Sequence, residues 1–544
     1  MDDAQHTKRI PSAIRAALPG ILLVMFLGAL DQTVMASALP TVAGDLGGLD
    51  QMSAIITGYL VAATAAMPLT GKLGDAFGRK RVLQGSLIFF IVGAALCSLA
   101  QTVPELIGYR AIQGIGGGGL MIGAQAIIGE LVSPRDRGRF LGIIGAAFIV
   151  AAVAGPLAGG AVVDHFSWRW IFYFYVPLGL AALAVVTLTL RLPDTPRGRR
   201  VDYGGAALLC LAIVSVILLC SGGSYPGPGW VAPVLAAVAV AALAGWLLAA
   251  RRMADPIIPL SLFRDAAFAI PTAVSFLIGF AMFATLSYLP AFLQVGMGMS
   301  ATASGGMLIA LMAGLLLTTA ASGALITRTG RYKLYPVAGT LLAVPGTWLF
   351  STLDSGSSPW LVMASMVLLG LGIGLVMQVM VLVVQNSVER RDLGAATSTV
   401  TFLRQVGASV GVAVLGSLIT VRFSAAVPAP LAAALGDSIK SLTPKALERL
   451  PAADRSAAGE AFGHALPPVF GYATIVLAAA FVLTLFLPER ELRTTAHADA
   501  VPTDAALSDP ANLDPANSDT ADPDPALSEA ANPADRKPRG APDD

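Results

Sequence analysis

The feature that most constrains this chain is a series of long apolar runs, each about the length that a helix needs to cross a bilayer. Only 13% of the 544 residues are charged, about half the share typical of a soluble protein. The sequence therefore predicts an all-α integral membrane protein with fourteen transmembrane helices. Their predicted limits are Pro19–Leu39, Met52–Leu69, Val82–Leu99, Leu106–Ile128, Phe140–Val162, Ile171–Leu190, Tyr203–Cys220, Val231–Ala249, Phe268–Leu289, Gly305–Ile326, Leu334–Leu349, Trp360–Val384, Ser398–Thr420 and Val469–Leu487.

The positive charges of the chain lie on alternate connecting segments. Because Lys and Arg near the ends of a span resist translocation, we expect these segments on the cytoplasmic side. An even number of spans then predicts that both termini are cytoplasmic. Among the short intervening segments, Arg169 is the exception. The basic sets are Lys72, Arg79, Lys80 and Arg81; Arg135, Arg137 and Arg139; Arg191, Arg197, Arg199 and Arg200; Arg251, Arg252 and Arg264; Arg328, Arg331 and Lys333; and Arg390 and Arg391.

Parts of the chain repeat one another after about 256 residues. Repeated positions are Gly114, Gly116 and Gly118 with Gly370, Gly372 and Gly374, and Arg135, Asp136 and Gly138 with Arg391, Asp392 and Gly394. Internal repeats are common in transporter folds. We therefore predict two related six-helix bundles at 19–190 and 268–488, the second with a long outer loop at 421–468. The linker at 191–267 carries spans seven and eight.

The two ends of the chain differ from the apolar part. Residues 1–18 are predicted to form a cytoplasmic N-terminal tail. Within residues 489–544, acids recur at intervals of five residues from Asp499 to Glu529, with Ala, Pro, Asn and Ser between them. Such a composition has too little apolar surface to offset the entropy lost on ordering. The sequence therefore predicts a disordered, acidic cytoplasmic tail.

Two charged residues stand out within the spans of the first bundle, Asp31 in the first and Arg110 in the fourth. A carboxylate at membrane depth costs about 2.5–3.5 kcal/mol and normally faces the bundle interior or a wet cavity. Since desolvation disfavours the charged form, Asp31 is a candidate to bind and release a proton, with Arg110 sensing its charge. The alternatives are an Asp31 held ionised for packing and an Arg110 that extends to the interface. Ala281 and Met366 occupy the equivalent positions, so we expect intramembrane charge in the first bundle alone.

The densest basic segment lies between spans two and three, at Gly71–Arg81. Its glycines permit a tight turn and a close approach of helices. The residues Gly71, Gly74, Asp75, Gly78, Arg79 and Arg81 match the loop between the second and third helices of the major facilitator superfamily, and the chain resembles that superfamily here.

Further segments resemble the fourteen-span drug:proton antiporters of that superfamily. They are Leu30–Thr33 with Ala38–Pro40, Arg110–Gly114, Gly155-Pro156 with Gly159-Gly160, Trp168–Phe172 with Val176-Pro177, and Arg404–Gly407 with Gly411. The resemblance implies an alternating-access exporter driven by proton influx. It also implies that Asp31 and Arg110 act in proton coupling and that Gly71, Gly74, Asp75, Gly78, Arg79 and Arg81 form a cytoplasmic gate. For Gly155, Pro156, Gly159 and Gly160, a structural kink and a moving helix that seals the cavity remain alternatives.

The substrate is expected in a largely apolar cavity between the bundles. Aromatic, Met and amide side chains there suit amphipathic small molecules such as drugs. Candidate cavity residues are Gln32, Met35, Gln125, Phe148, Phe283, Tyr288, Met377, Gln378 and Gln385. Export of one endogenous metabolite and uptake by a symporter of the same fold are the alternatives. The expected partners are substrate, protons and the bilayer, without nucleic acid, and the protein is expected to be a monomer.

Few residues suit catalysis or metal binding. The four histidines are scattered, and the three cysteines lie in apolar segments without the spacing of metal ligands. We therefore expect neither a membrane enzyme nor a receptor, and neither a cofactor nor a metal. The Ala-rich composition and the antiporter resemblance predict a bacterial plasma membrane protein that confers antibiotic resistance.

Overall fold

The structure is a computed structural model that describes residues 12–46, 52–190, 192, 202–220, 229–253, 256–299, 301–427 and 451–492. Within these residues every regular element is a helix. The α-helices are α1 (Ser12–Asp45), α2 (Met52–Phe77), α3 (Arg79–Leu99), α4 (Val103–Leu131), α5 (Pro134–His165), α6 (Arg169–Thr189), α7 (Tyr203–Cys220), α8 (Val231–Arg252), α9 (Ala266–Ala291), α10 (Ala301–Thr329), α11 (Leu334–Ser351), α12 (Pro359–Ser387), α13 (Leu393–Ala426), α14 (Ala452–Ala465) and α15 (Pro467–Leu485).

The helices of the described residues confirm the prediction of an all-α membrane protein. Thirteen of them are long and apolar enough to cross a bilayer, and Tyr203–Leu219 of α7 is a shorter apolar helix. Several helices continue past the predicted apolar limits, as α1 does to Asp45 and α13 to Ala426. The tail at 489–544 lies outside the described residues from position 493 on.

The basic segment Gly71–Arg81 is not the loop that the sequence suggested. The α2 helix continues to Phe77 and α3 begins at Arg79, so that Gly78 alone separates them. Its φ of 96° lies in the region that favours glycine. The chain therefore reverses at one residue, and the remaining residues of the segment belong to two helix ends with defined side-chain directions.

The glycine triplets of α4 and α12 have the same packing role in the two parts of the protein. A Cβ on Gly116 would lie 2.6 Å from the Ser86 carbonyl oxygen of α3, and one on Gly372 would lie 2.6 Å from the Gly339 carbonyl oxygen of α11. The neighbouring glycines approach α2 and α10 in the same way. Only a residue without a side chain permits such close backbone contact. The sequence repeat therefore corresponds to a repeat of helix packing.

Two groups of helices follow from these contacts. The first half consists of α1–α6, and the second half of α9–α13 with α15. The α7 helix pairs with α8 and also packs against α2 and α13. We call the end of the molecule that carries Gly78, the start of α5, the turn before α11 and Arg390 the basic face. Hydrogen bonds from Arg79 to the Arg390 carbonyl (3.3 Å) and from Arg135 to the Thr327 carbonyl (3.4 Å) join the two halves there.

Candidate functional site

A buried ion pair lies within the first half. The Arg110 Nη1 atom of α4 is 2.7 Å and 3.0 Å from the two carboxylate oxygens of Asp31 in α1. Asp31 is 0% exposed and Arg110 is 2% exposed. Gln113, one turn after Arg110, donates to Asp31 Oδ1 at 3.1 Å and accepts from Arg110 Nη1 at 2.9 Å. The two candidates for proton coupling are therefore in direct contact.

Aromatic rings enclose the guanidinium of this pair. Arg110 lies 4.3 Å from the centroid of the Tyr59 ring and 5.9 Å from that of Phe172. Desolvated cation–π contacts of this kind favour the cation. The Tyr59 ring in turn lies against Gly117, where a Cβ would collide with its hydroxyl. Asp31 is the acid that the described residues place against the Arg110 guanidinium, so the two opposite charges compensate each other inside the first half.

The described residues of the second half contain no copy of this cluster. Ala281, Met366 and Leu369 stand at the positions equivalent to Asp31, Arg110 and Gln113, and all three are buried. The expectation that intramembrane charge is confined to the first half is nevertheless wrong. Arg404 of α13 is only 6% exposed, and it falls inside the predicted span Ser398–Thr420.

The Asp75 side chain joins the two halves at the basic face. Its carboxylate accepts hydrogen bonds from the backbone amides of Gly394 (3.0 Å) and Ala395 (2.9 Å) at the start of α13. It also pairs with Arg79 at 2.9 Å. An acid at a helix N-terminus satisfies unpaired amides and complements the helix dipole.

Glu130, at the end of α4, extends this network and was not among the predicted residues. It accepts from Arg79 Nη1 at 3.1 Å and from Arg390 Nε at 3.0 Å. One carboxylate therefore bridges an arginine of each half. The signal in the sequence was an acid at the end of an apolar span, beside the basic set Arg135–Arg139.

The other residues of the predicted gate take different positions. Gly71 lies against Gly394 and Ser398 of α13, and a Cβ on it would be 2.6 Å from the Gly394 carbonyl oxygen. Gly74 leaves ordinary space, since a Cβ there would lie 3.5 Å from the Arg79 side chain. Arg81 is exposed. Gly71 and Asp75 thus face the second half.

Two glutamines predicted for the cavity meet where the halves touch. Gln385 of α12 donates to the Gln125 carbonyl of α4 at 3.1 Å and to Thr397 at 3.1 Å. Thr401 of α13 donates to the Gln125 side chain at 3.2 Å. Arg137, fully buried at the start of α5, donates to the Gln385 carbonyl at 3.1 Å. We call these contacts, with those of Asp75 and Glu130, the basic-face seam.

The remaining predicted cavity residues are spread along the helices. Gln32, Phe283 and Met377 are half-buried and Met35 is buried. Gln378 lines a cavity of about 10 Å³ with Thr319 and Ser322. Tyr288 donates to the Val412 carbonyl at 2.8 Å and is thereby tied to α13. The side chain of Phe148 lies outside the described part.

One glycine of the antiporter-like segment in α5, Gly155, lies against α1. A Cβ on Gly155 would collide with Thr33, whose hydroxyl donates to the Ala151 carbonyl at 3.0 Å. Gly159 is buried, and Gly160 has open space around its Cα. The Pro156 side chain lies outside the described part. The α1 and α5 helices are therefore in close contact two residues from Asp31.

Arg169, the basic residue that departs from the charge pattern of the short intervening segments, forms an ion pair. It lies 3.1 Å from Asp45 at the end of α1 and 4.3 Å from the centroid of the Trp168 ring. The Trp168 indole also donates to Asp45 at 2.8 Å. These hydrogen bonds from Trp168 and Arg169 hold the pKa of Asp45 below its usual range. The cation therefore stabilises helix ends on the face opposite the basic one.

Paired helical halves with membrane-crossing helices and a closed seam define a membrane transporter. The model of the Major Facilitator Superfamily matches residues 21–412, so the chain belongs to that family. It is 38% identical over 515 residues, 90% of this chain and 73% of the relative, to an uncharacterized MFS-type transporter of Mycobacterium tuberculosis strain H37Rv. It is 31% identical over 490 residues, 88% of this chain and 96% of the relative, to multidrug resistance protein 3 of Bacillus subtilis strain 168.

Solved structures agree with this assignment at the level of fold. The MFS proton:xylose symporter XylE has a TM-score of 0.60 and 15% identity to this chain, covering 90% of this chain and 99% of the symporter. The predicted superfamily and fold are therefore confirmed. The protein is a multi-pass membrane transporter for small molecules.

Proposed function

We propose that this protein exports amphipathic small molecules, drugs and antibiotics among them, in exchange for protons. The observation that carries the proposal is the Asp31–Arg110–Gln113 cluster. In this cluster, Asp31 is 0% exposed and contacts the Arg110 guanidinium. Neutralising the acid would therefore remove the counter-charge of the cation. The name of the Bacillus subtilis relative supports drugs as the substrate class.

In the proposed cycle, the basic face is cytoplasmic by the positive-inside rule. The described conformation, with its basic-face seam closed, then represents the outward-facing side of the cycle. Protonation of Asp31 releases Arg110 and loosens the packing of α1 against α4 and α5. The seam then separates at Asp75, the cavity opens inward, and loss of the proton to the cytoplasm restores the ion pair.

We place the protein in a bacterial plasma membrane, with both termini in the cytoplasm, and we propose that it acts as a monomer in antibiotic resistance. The residues of the gate, at Gly71, Asp75 and Arg79, then belong to the cytoplasmic end. The export direction follows from the outward release of substrate when Asp31 is protonated. The position of the termini, the gate and the export direction all depend on the orientation given by the basic face.

The test uses everted membrane vesicles whose lumen has been acidified by ATP-driven proton pumping. A growth-inhibition panel with and without expression first finds an exported compound. Added outside the vesicles, this compound should dissipate the pH gradient, reported by a quenched acridine dye, only when the antiporter is present. An uptake symporter would not respond to a compound added on that side.

The matched variant is Asp31→Asn, which keeps the shape of the side chain and removes the titrating group. We expect it to lose compound-induced dissipation while retaining exchange of the compound across vesicles without a gradient. Dissipation at the native rate by Asp31→Asn would refute proton coupling through this residue. Loss of exchange as well as dissipation would assign Asp31 a purely structural role.

A further inference from the structure

A second buried arginine lies in the second half, outside the proposed coupling cluster. Arg404 is 6% exposed and stands about 16 Å along α13 from Leu393, at the helical rise of about 1.5 Å per residue. That distance is about half the thickness of a bilayer core. Arg404 therefore lies deep in the membrane-crossing part of the protein.

No described residue pairs with the Arg404 guanidinium by a hydrogen bond, an ion pair or a ring contact. Other buried arginines differ in this respect. Arg110 contacts Asp31, Arg79 contacts Asp75 and Glu130, and Arg137 donates to three carbonyl groups. The 6% of Arg404 that is exposed leaves a small part of this residue accessible to a molecule the size of water.

The helical spacing places Arg404 on the central side of α13. Thr397 and Thr401 share that face, and they contact Gln385 of α12 and Gln125 of α4. Arg404 follows Thr401 by almost one turn, so it lies next to the basic-face seam on the same face of α13.

The neighbouring helix makes room for this side chain. A Cβ on Gly279 of α9 would lie 3.1 Å from Arg404 Cγ and would collide with the Arg404 carbonyl. Phe283 follows one turn later on the same face of α9 and is half-buried. Gly279 thus leaves room for the Arg404 side chain, and Phe283 lies one helical turn from this contact on α9.

We propose that Arg404 binds the negatively charged group of the substrate, and that the substrates are amphipathic organic anions such as aromatic carboxylates. An unpaired cation inside the membrane is costly and marks a functional position. The planar fork of a guanidinium matches a carboxylate with two parallel hydrogen bonds. Asp31 neutralises Arg110, so the substrate supplies the counter-charge that the described residues do not give Arg404. Phe283 contacts the apolar part of the substrate.

This assignment rests on the proposed function only in requiring a transported small molecule, and it is tested by binding alone. The full-length protein is placed in nanodiscs of phosphatidylcholine, which has no anionic headgroup to compete. The probes are dansylglycine, which carries a carboxylate, and its amide, which has the same fluorophore without the charge. We expect the native protein to bind dansylglycine at least about tenfold more tightly than the amide.

Three variants separate charge from structure. Arg404→Gln should weaken dansylglycine binding at least about tenfold and leave the amide within about twofold. Arg404→Lys should retain part of the preference, because it keeps the charge without the fork. Arg422→Gln, at an exposed position of the same helix, should bind both probes as the native protein does.

Several results would overturn the proposal. One is equal affinity of the native protein for the two probes, which needs no variant and is unaffected by any folding defect. Another is an equal loss of affinity for both probes in Arg404→Gln, which would show that Arg404 has a structural role. Because no pH gradient is present, Asp31→Asn should keep the preference for the anion. Failure of proton coupling in the vesicle assay would therefore leave the assignment of Arg404 intact.

Discussion

Asp75, near the end of α2, accepts a 3.0 Å hydrogen bond from the backbone amide of Gly394, the second residue of α13. The sequence separates these residues by 319 positions, and the contact joins one half of the transporter to the other. The second carboxylate oxygen accepts from Ala395 at 2.9 Å. The Asp75 side chain therefore covers two N-terminal amides of α13, a helix of the opposite half. If the start of α13 moved away from Asp75, those amides would be exposed.

Asp75→Ala should expose these two amides to solvent. Hydrogen bonds to charged groups contribute about 1.5–3 kcal/mol, so we expect amide exchange at Gly394 and Ala395 to accelerate at least about tenfold. Hydrogen–deuterium exchange with mass spectrometry measures this directly. Asp136→Ala is the matched control, because Asp136 accepts from Ser133 within the first half. Unchanged exchange at the start of α13 in Asp75→Ala would contradict the contact.

Gly71→Ala should prevent the seam from closing. Its Cβ would lie 2.6 Å from the Gly394 carbonyl oxygen, a backbone atom that cannot move aside alone. Overpacking of this kind costs about 1–3 kcal/mol, so we expect export of a substrate to slow about tenfold. Gly74→Ala, one turn away on the same helix, should export at nearly the native rate, since its Cβ would be 3.5 Å from the nearest atom of Arg79. Equal rates in the two variants would contradict a steric role for Gly71.

The apolar runs predicted the membrane helices because their length and composition are local properties. Asp31 and Arg110 were also accessible to sequence reasoning, since a charge inside an apolar run is conspicuous. Their contact required the packing of α1 on α4. The repeated glycines predicted the related packing of α4 and α12 because close approach needs glycine wherever it occurs.

The basic-face seam could not be predicted in this way. Glu130 meets Arg390 over a separation of 260 residues, and Gln385 meets Gln125 over the same separation. Such contacts depend on the relative placement of two halves, which no local pattern encodes. The glutamines were predicted for the cavity from their polarity alone. Arg404 was noted only as part of the antiporter-like segment Arg404–Gly407, and the importance of its charge within a predicted span was missed.

Asp45→Asn should leave the pH dependence of export unchanged. The hydrogen bonds from Trp168 and Arg169 lower the pKa of Asp45. Its carboxylate in the folded protein is therefore ionised at every pH above the range in which a free Asp titrates. A lowered pKa stabilises the fold at higher pH, and that stabilisation is lost only in acid as pH falls through the folded value. Between about pH 5 and pH 8, no titration of Asp45 contributes. A shift in the pH profile of vesicle transport in Asp45→Asn would contradict this.

The segment after α15 is fixed to the second half by contacts that a truncation series can separate. Tyr332 donates to the Pro488 carbonyl at 2.7 Å and accepts from the Arg490 amide at 2.8 Å. The Arg490 guanidinium forms two 2.8 Å hydrogen bonds with Asp265 at the start of α9. A chain that ends after Leu492 keeps all of these contacts, whereas one that ends after Leu487 loses them.

We therefore expect the chain ending at Leu492 to unfold at the temperature of the full-length protein, and the chain ending at Leu487 to unfold about 3 °C or more below it. Thermal unfolding in detergent, followed by intrinsic fluorescence, measures the difference. Tyr332→Phe in the full-length chain removes two of the hydrogen bonds and should give an intermediate decrease. Identical unfolding temperatures for the two truncated chains would show that these contacts add nothing to stability, and a decrease already present at Leu492 would place the stabilising residues farther along the tail.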